Sequence, residues 1–169
     1  MSCRIFRESH VILFTVGYQM PFDRMMMIVD DWCGHHPDVE VFGQIGPSSM
    51  VPKNMEFVDF LTPPEYEKLV KKADLIVAHV GTGTIVTALV EEKPIIVFPR
   101  KGDLGETRND HQVTYCERLR AIQGIQVTTT DDELRIALDA HCDMTASDAI
   151  ARSASPELIE RLRTFAFEG

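Results

Sequence analysis

The sequence predicts an α/β fold built on a doubly wound, mostly parallel sheet. Three features carry this prediction. Strand-like apolar runs alternate with helix-spaced segments from end to end. Several runs are continuously apolar rather than alternating, as befits strands covered on both faces. One stretch reads as a complete strand–helix–strand crossover, which in a single sheet means parallel neighbours and a right-handed connection.

The elements follow in order. His10–Gly17 (HVILFTVG) is an apolar run ending in glycine, a buried strand. Phe22 to His36 has helical spacing, with Phe22, Met25, Met26, Val29, Trp32 and Cys33 on one face. Val39–Ile45 and Met55–Phe60 are strands joined by the turn-rich GPSSMVPKN. Pro63 to Lys72 is a short helix opening on Pro-Pro. The crossover comes next: Asp74–His79 (DLIVAH), a helix over Thr82–Glu92, and Pro94–Phe98 (PIIVF). A polar loop, Pro99 to Arg108, precedes a helix from Asn109 to Gln123, whose Val113, Cys116, Leu119 and Ile122 recur every third residue. Gly124 ends it, and Ile125–Thr129 is the last strand. Asp131 to His141 is a helix capped by Asp131 or Thr130. Residues 10–142 thus form one domain, residues 143–155 a linker rich in Ala, Ser and Asp, and residues 156–167 an amphipathic helix striped with Leu158, Ile159, Leu162, Phe165 and Ala166.

Composition narrows the function classes. With 169 residues, 44% hydrophobic and 25% charged, the chain has the makeup of one soluble globular domain. Its net charge of -9 argues against broad nucleic-acid binding, which needs a basic footprint, although backbone N–H groups can still bind an anion locally. The apolar run Val11–Val16 is too short to span a bilayer and lacks a signal-cleavage site. Cys3, Cys33, Cys116 and Cys142 form no CxxC pair and are expected to be reduced thiols in a cytosolic protein. Any membrane role then comes through a partner or a surface helix.

In open α/β sheets, ligands bind beyond the carboxyl ends of the strands. The candidate residues therefore sit at Gly17, Gly46, His79–Thr84 and Pro99–Gln112. His79-Val80-Gly81-Thr82-Gly83-Thr84 joins a buried strand to a helix. Its glycines, threonine hydroxyls and helix N-terminus suit a diphosphate; equally, the glycines permit a tight turn with Thr82 as cap. Gly81-x-Gly83 is a partial dinucleotide fingerprint, but Val86 stands at its third position. No acidic residue ends the next strand, which disfavours a dehydrogenase. In the polar loop, Arg100 and Lys101 can neutralise phosphate, Glu106 or Asp110 can accept from ribose or sugar hydroxyls, and Asn109 and Gln112 can read a hydroxyl pattern. The same residues also fit a solvated loop with Asn109 or Asp110 as helix cap. His35, His36 and His111 lack partners at ligand spacing, so no metal is expected. No Gly-x-Ser-x-Gly elbow or Cys/His arrangement is present.

Taken together, TVG (15–17), PFDR (21–24), QIG (44–46), ADLIVAHVGTGTIVTAL (73–89), KPIIVFPR (93–100) and GETRNDHQ (105–112) resemble the C-terminal domain of family 28 glycosyltransferases. The likeness runs from Val11 to Gln126 and is nearest to stand-alone bacterial exopolysaccharide subunits of the PssE type. These are related to the cytosolic subunit of the split eukaryotic GlcNAc transferase. The resemblance implies the Rossmann-like half of a GT-B fold, holding a UDP-sugar donor without any cofactor. It places the diphosphate at Gly81–Thr84 and the sugar near Asn109, Asp110, His111 and Gln112, with Gly17 lining the cleft. One position departs from the family: where the single-chain peptidoglycan relative has a ribose-binding Glu, this chain has Thr87, and Glu106 is the substitute expected.

The implied reaction is transfer of a hexosyl or hexuronosyl group, with inversion, from a UDP-sugar to a polyprenyl-diphosphate-linked saccharide in exopolysaccharide or capsule synthesis. The chain is too short for both GT-B halves. The resemblance therefore implies a membrane-anchored acceptor-binding partner that recruits this cytoplasmic chain to the inner face of the membrane. The base belongs to the partner, with His111 the candidate within this chain. Two rival readings stay open: a non-catalytic activator of a membrane glycosyltransferase, and an unrelated nucleotide-binding α/β enzyme such as a dehydrogenase fragment.

Overall fold

Six short segments take the extended conformation: β1 (Val11–Thr15), β2 (Glu40–Gln44), β3 (Glu56–Val58), β4 (Leu75–His79), β5 (Ile95–Phe98) and β6 (Ile125–Val127). Between and after them lie α1 (Asp23–His35), α2 (Pro63–Lys72), α3 (Thr82–Val90), α4 (His111–Leu119) and α5 (Asp131–Asp139), followed by a 3₁₀ turn at His141–Asp143. The structure, a computed structural model, describes residues 10–108 and 111–144, with the backbone alone at His111. The linker beyond Met144 and the helix expected over 156–167 lie outside the described residues.

The strands form one all-parallel sheet in the order β3-β2-β1-β4-β5-β6. The winding reverses between β1 and β4. This is the topological switch point, where a crevice opens beyond the strand ends. Side chains alternate faces along each strand. From β1, Ile12 and Phe14 pack under α1 and α5, with Met25, Val29, Trp32, Leu134 and Leu138. Leu13 faces the opposite layer, with Val70 of α2, Ile85 and Leu89 of α3, and Cys116 and Leu119 of α4. Each such fully buried aliphatic or aromatic side chain contributes roughly 1.5–3 kcal/mol, so the two layers hold the sheet from both sides.

The structure trims the expected elements at their ends for local reasons. β1 stops before Gly17, whose φ of +79° turns the chain out of the sheet. α4 opens at His111 and closes at Leu119, and its predicted stripe is uneven: Cys116 and Leu119 are buried, while Val113 is exposed. Of the three consecutive methionines in α1, Met25 and Met26 enter the core and Met27 faces outward. Thr130, rather than Asp131, caps α5: its hydroxyl accepts from the Glu133 N–H at 3.2 Å. Cys33 and Cys116 are buried free thiols, and burial raises them to about 12 and about 11. Among the described residues, no helix is long and apolar enough to cross a membrane.

Candidate functional site

The switch point is organised around a histidine ring. β4 ends in His79, whose imidazole lies between Gly17 from the loop after β1 and Gly81 from the following turn. A Cβ placed on Gly17 would come within 2.9 Å of the ring Cε1, and one on Gly81 within 2.5 Å of Nε2. Both positions are glycine because the ring occupies the space a side chain would need. The loop ahead of Gly17 is pinned too: Gly17 N–H donates to Thr15 Oγ1 at 3.2 Å, and Gln44 Nε2 donates to the Gly17 carbonyl at 3.2 Å. Nδ1 of His79 is buried without a hydrogen bond of ordinary geometry. Burial, and next the charge of Arg100, lower its pKa to about 4; only the Thr15 carbonyl favours the charged ring. His79 is therefore neutral at physiological pH.

Next to this ring, α3 begins. Gly81 is its N-cap residue, in extended backbone, and no side chain caps the helix, so Thr82 does not serve as a cap. The N–H groups of the first turn have no intrahelical acceptors and stand at the positive end of the helix dipole. Gly83 differs from Gly81: a Cβ there would meet nothing within 4 Å. The two readings of this segment thus divide between its glycines. Gly81 makes room inside the protein, and Gly83 leaves its backbone open to the outside.

Two arginines join the loop after β1 to the loop after β5. Arg100 is buried, and its guanidinium donates to the carbonyls of Val16 and Met20 at 2.8 Å each and to that of Pro21, with the Phe22 ring 4.6 Å from its carbon. Its backbone N–H donates to Gln112 Oε1 at 2.9 Å. Burial lowers the Arg100 pKa to about 10, with Glu106 and Asp23 opposing, so it stays charged near neutrality. Arg24 of α1 makes the reciprocal link. Nε and Nη2 reach Glu106 at 2.6 and 2.8 Å, Nη1 reaches Asp131 at 2.7 Å, and Nη2 also donates to the Pro99 carbonyl at 3.2 Å. Glu106 accepts a further bond from the Lys101 N–H at 2.9 Å.

This geometry revises two expectations. The Arg100 guanidinium is bound to backbone carbonyls rather than presented free to a phosphate. The Glu106 carboxylate is occupied by Arg24 and Lys101, which leaves it poorly placed as the substitute for the ribose-binding Glu.

Two cavities flank the glycine turn. The first, about 360 Å³, lies on the switch point and is lined by Gly17, His79, Gly81, Gly83, Thr84, Arg100 and Gln112 among the expected residues, with Val16, Tyr18, Gln19, Met20 and Thr107 added. The second, about 550 Å³ and more apolar, is lined by Tyr18, Phe60, Leu61, Pro63, Tyr66 and Thr87, with Thr15 and Gln44 at its floor. Gly17, Tyr18, Gly83 and Thr84 border both. Thr82 and Glu106 line neither. Asn109 and Asp110 lie outside the described residues, as does the side chain of His111. The second cavity was missed in the sequence because its aromatic side chains resemble core residues. Tyr18, just past the glycine that ends the first predicted strand, was the one available signal; both Tyr18 and Phe60 are exposed. Among the described residues, no three His, Cys, Asp or Glu side chains are grouped to hold a metal ion.

Chemically, the arrangement offers helix N–H donors to an anion, a polar cleft on one side of them and an aromatic-walled cavity on the other. Residues 12–158 match the family described as the glycosyltransferase family 28 C-terminal domain. The UDP-N-acetylglucosamine transferase subunit ALG13 of Eremothecium gossypii is 33% identical over 88 residues, which is 51% of this chain and 41% of that protein. The chain thus spans about two fifths of that curated relative's length. Among solved structures, MurG of Acinetobacter baumannii superposes with a TM-score of 0.64 at 14% identity, covering 97% of this chain and 51% of MurG. The solution structure of ALG13 gives 0.63 at 17% identity, covering 92% and 98%. At such identities the likeness concerns the fold, which is the Rossmann-like half of a GT-B architecture.

Proposed function

The chain belongs to the glycosyltransferase family 28 C-terminal domain family, and we propose that it is the donor-binding subunit of a two-component glycosyltransferase. The observation that carries this reading is the open backbone at Gly83 on the N-terminus of α3, bordering both cavities at the switch point. A nucleoside-diphosphate sugar has three chemically distinct parts in a row, and the site offers three environments in a row. The diphosphate sits against the first-turn N–H groups of α3 with the Thr84 hydroxyl beside it. The nucleoside takes the cavity walled by Phe60, Leu61 and Tyr66. Thr87, the position at which the peptidoglycan relative has its ribose-binding Glu, borders that same cavity. The sugar takes the polar cleft beside Gln112 and Thr107. UDP is the nucleotide we propose, in keeping with the ALG13 relative, a UDP-N-acetylglucosamine transferase subunit.

The chemistry follows from these positions. When the anomeric carbon is attacked, negative charge develops on the departing diphosphate, and preorganised N–H donors and the helix dipole stabilise it. The neutral His79 ring adds no charge; it packs between Gly17 and Gly81 beside the turn. The transfer inverts the anomeric carbon and needs no cofactor. Proton removal from the acceptor hydroxyl falls to the partner, with His111 as the alternative.

That partner is a membrane-anchored acceptor-binding subunit carrying a polyprenyl-diphosphate-linked saccharide. It keeps this chain at the cytoplasmic face of the membrane, in exopolysaccharide or capsule synthesis. Calorimetric titration of the purified chain with UDP, UDP-glucose, UDP-GlcNAc and UDP-glucuronate, with NAD as control, tests the reading. Saturable UDP binding that weakens in Gly83→Val and Gln112→Ala supports it. No UDP binding with the partner present turns the assignment to a non-catalytic activator, and preferential NAD binding to an unrelated nucleotide enzyme.

A further inference from the structure

The polar cleft owes its shape to two loops with no regular structure, residues 16–22 after β1 and 99–108 after β5. Neither has a ladder to hold it. What holds them is a pair of oppositely directed arginines. Arg100 reaches from the second loop to the carbonyls of the first, and Arg24 reaches from α1, directly behind the first loop, to Glu106 on the second. Arg24 lines neither cavity; it meets the second loop through Glu106 and the Pro99 carbonyl, and its guanidinium also lies over the Phe98 ring at 4.4 Å.

A gain in stability alone explains this pair poorly. The Arg24 and Glu106 side chains are 18% and 12% exposed, and burial opposes the charge on Arg24 while Glu106 and Asp131 restore it. For such pairs the desolvation cost offsets much of the Coulombic gain, and apolar replacements are often as stable. What an apolar pair lacks is direction. The two-pronged guanidinium–carboxylate contact fixes both distance and orientation between α1 and the loop. Glu106 then passes that orientation on: its carboxylate accepts from the Lys101 N–H, its carbonyl lies 3.5 Å from Arg100 Nη1, and its neighbour Thr107 lines the cleft.

We infer that Arg24 is a positioning residue for the sugar end of the donor: by clasping Glu106 it holds Thr107 and Gln112 where they face the bound sugar. This inference rests on the donor-site reading above. It predicts a division within the ligand. The diphosphate contacts belong to α3, which the clasp does not touch, so UDP affinity is insensitive to Arg24, whereas the added sugar is not.

The test uses the full chain and its Arg24→Ala, Arg24→Lys and Glu106→Gln variants, with amide hydrogen exchange alongside calorimetric titration of UDP and of the tightest-binding UDP-sugar. In Arg24→Ala, amides of residues 101–107 exchange about tenfold or more faster while those of β1, β4 and β5 are unchanged. UDP affinity stays within about threefold of wild type, and UDP-sugar affinity falls about tenfold, or about 1.4 kcal/mol. Arg24→Lys restores part of the loss, since an ammonium meets the carboxylate as a point charge and not as a fork. Unchanged exchange in 101–107, or equal losses for UDP and UDP-sugar, overturns the clasp while leaving the donor site standing. A wild-type chain that binds UDP but no UDP-sugar overturns it as well. A wild-type chain that binds no UDP removes the donor reading itself, and the clasp with it.

Discussion

Replacing Gly81 and Gly83 by alanine, one at a time, separates the two roles that a single glycine-rich turn combines. At Gly81 the backbone is ordinary extended chain, with φ −118° and ψ 125°, so alanine brings no dihedral strain. The whole cost is contact. The new methyl would lie 2.5 Å from His79 Nε2 and 2.7 Å from Cε1, about 1 Å inside the normal carbon contact distance. Gly17 stands on the other side of the ring, where a Cβ would come within 2.9 Å of Cε1, and this limits how far the ring can shift. Overpacking of this kind costs about 1–3 kcal/mol, less about 0.5 kcal/mol from the stiffer unfolded chain. For a chain of this size each kcal/mol moves the melting point by about 2–4 °C, so Gly81→Ala should melt about 1–10 °C lower. At Gly83 no atom lies within 4 Å of the new methyl, and the helix gains up to about 1 kcal/mol in propensity. Gly83→Ala should therefore melt at or slightly above the wild-type temperature. On the proposed donor site its methyl would project towards the diphosphate, however, and UDP binding should weaken at least about tenfold, or about 1.4 kcal/mol. Thermal unfolding by circular dichroism and calorimetric titration with UDP give the two numbers. A Gly81→Ala variant as stable as wild type would refute the wedged ring, and normal UDP binding by Gly83→Ala would refute the placement of the diphosphate.

Three further expectations follow from the same site. His79 has a folded pKa near 4 against an ordinary value of 6.5. The unfolded chain therefore binds the extra proton first, and stability falls as pH drops from about 6.5 towards 4, by roughly 2–3 kcal/mol in total. Urea melts across that range should show a shallower pH dependence in His79→Gln, and an unchanged slope would count against the buried neutral ring. Arg100→Met leaves the carbonyls of Val16, Met20 and Pro21 without their donor and should cost about 3 kcal/mol or more; a change below about 1 kcal/mol in urea denaturation would contradict that role. Thr130→Ala removes the hydroxyl cap of α5 and should cost about 1 kcal/mol, with the same assay as its check.

The sheet and the location of the cleft were legible because both depend on local pattern. Strands covered on two faces must be continuously apolar, and β1, β4 and β5 are. Once the strands are parallel, their carboxyl ends mark the cleft, so Gly17, His79, Gly81, Gly83, Thr84, Arg100 and Gln112 were reachable from the sequence and do meet there. What those side chains do was not legible, because it depends on partners far along the chain. Arg100 is a cation beside a suspected phosphate site in the sequence, and only the fold shows the carbonyls of Val16, Met20, Pro21 and Glu106 around it. Glu106 is a free carboxylate in the sequence, and only the fold brings Arg24, 82 residues away, against it. The second cavity stayed hidden because Phe60 and Leu61 extend a strand-like apolar run, and nothing local says that the strand stops at Val58.

The bonds from Arg100 to the loop after β1 span 79 to 84 positions in the chain. During synthesis the first loop is made long before the residue that organises it. β1, β2 and β3 can pair as soon as they emerge, and β4 can close on β1 later. The carbonyls of Val16, Met20 and Pro21 must wait for β5 and the turn beyond it. Long-range closures of this kind come late, since they require the intervening chain to be ordered first. The cleft is therefore among the last parts of the molecule to mature. A nascent chain stalled before residue 100 would carry most of the sheet but lack Arg100, Thr107 and Gln112 of the polar cleft.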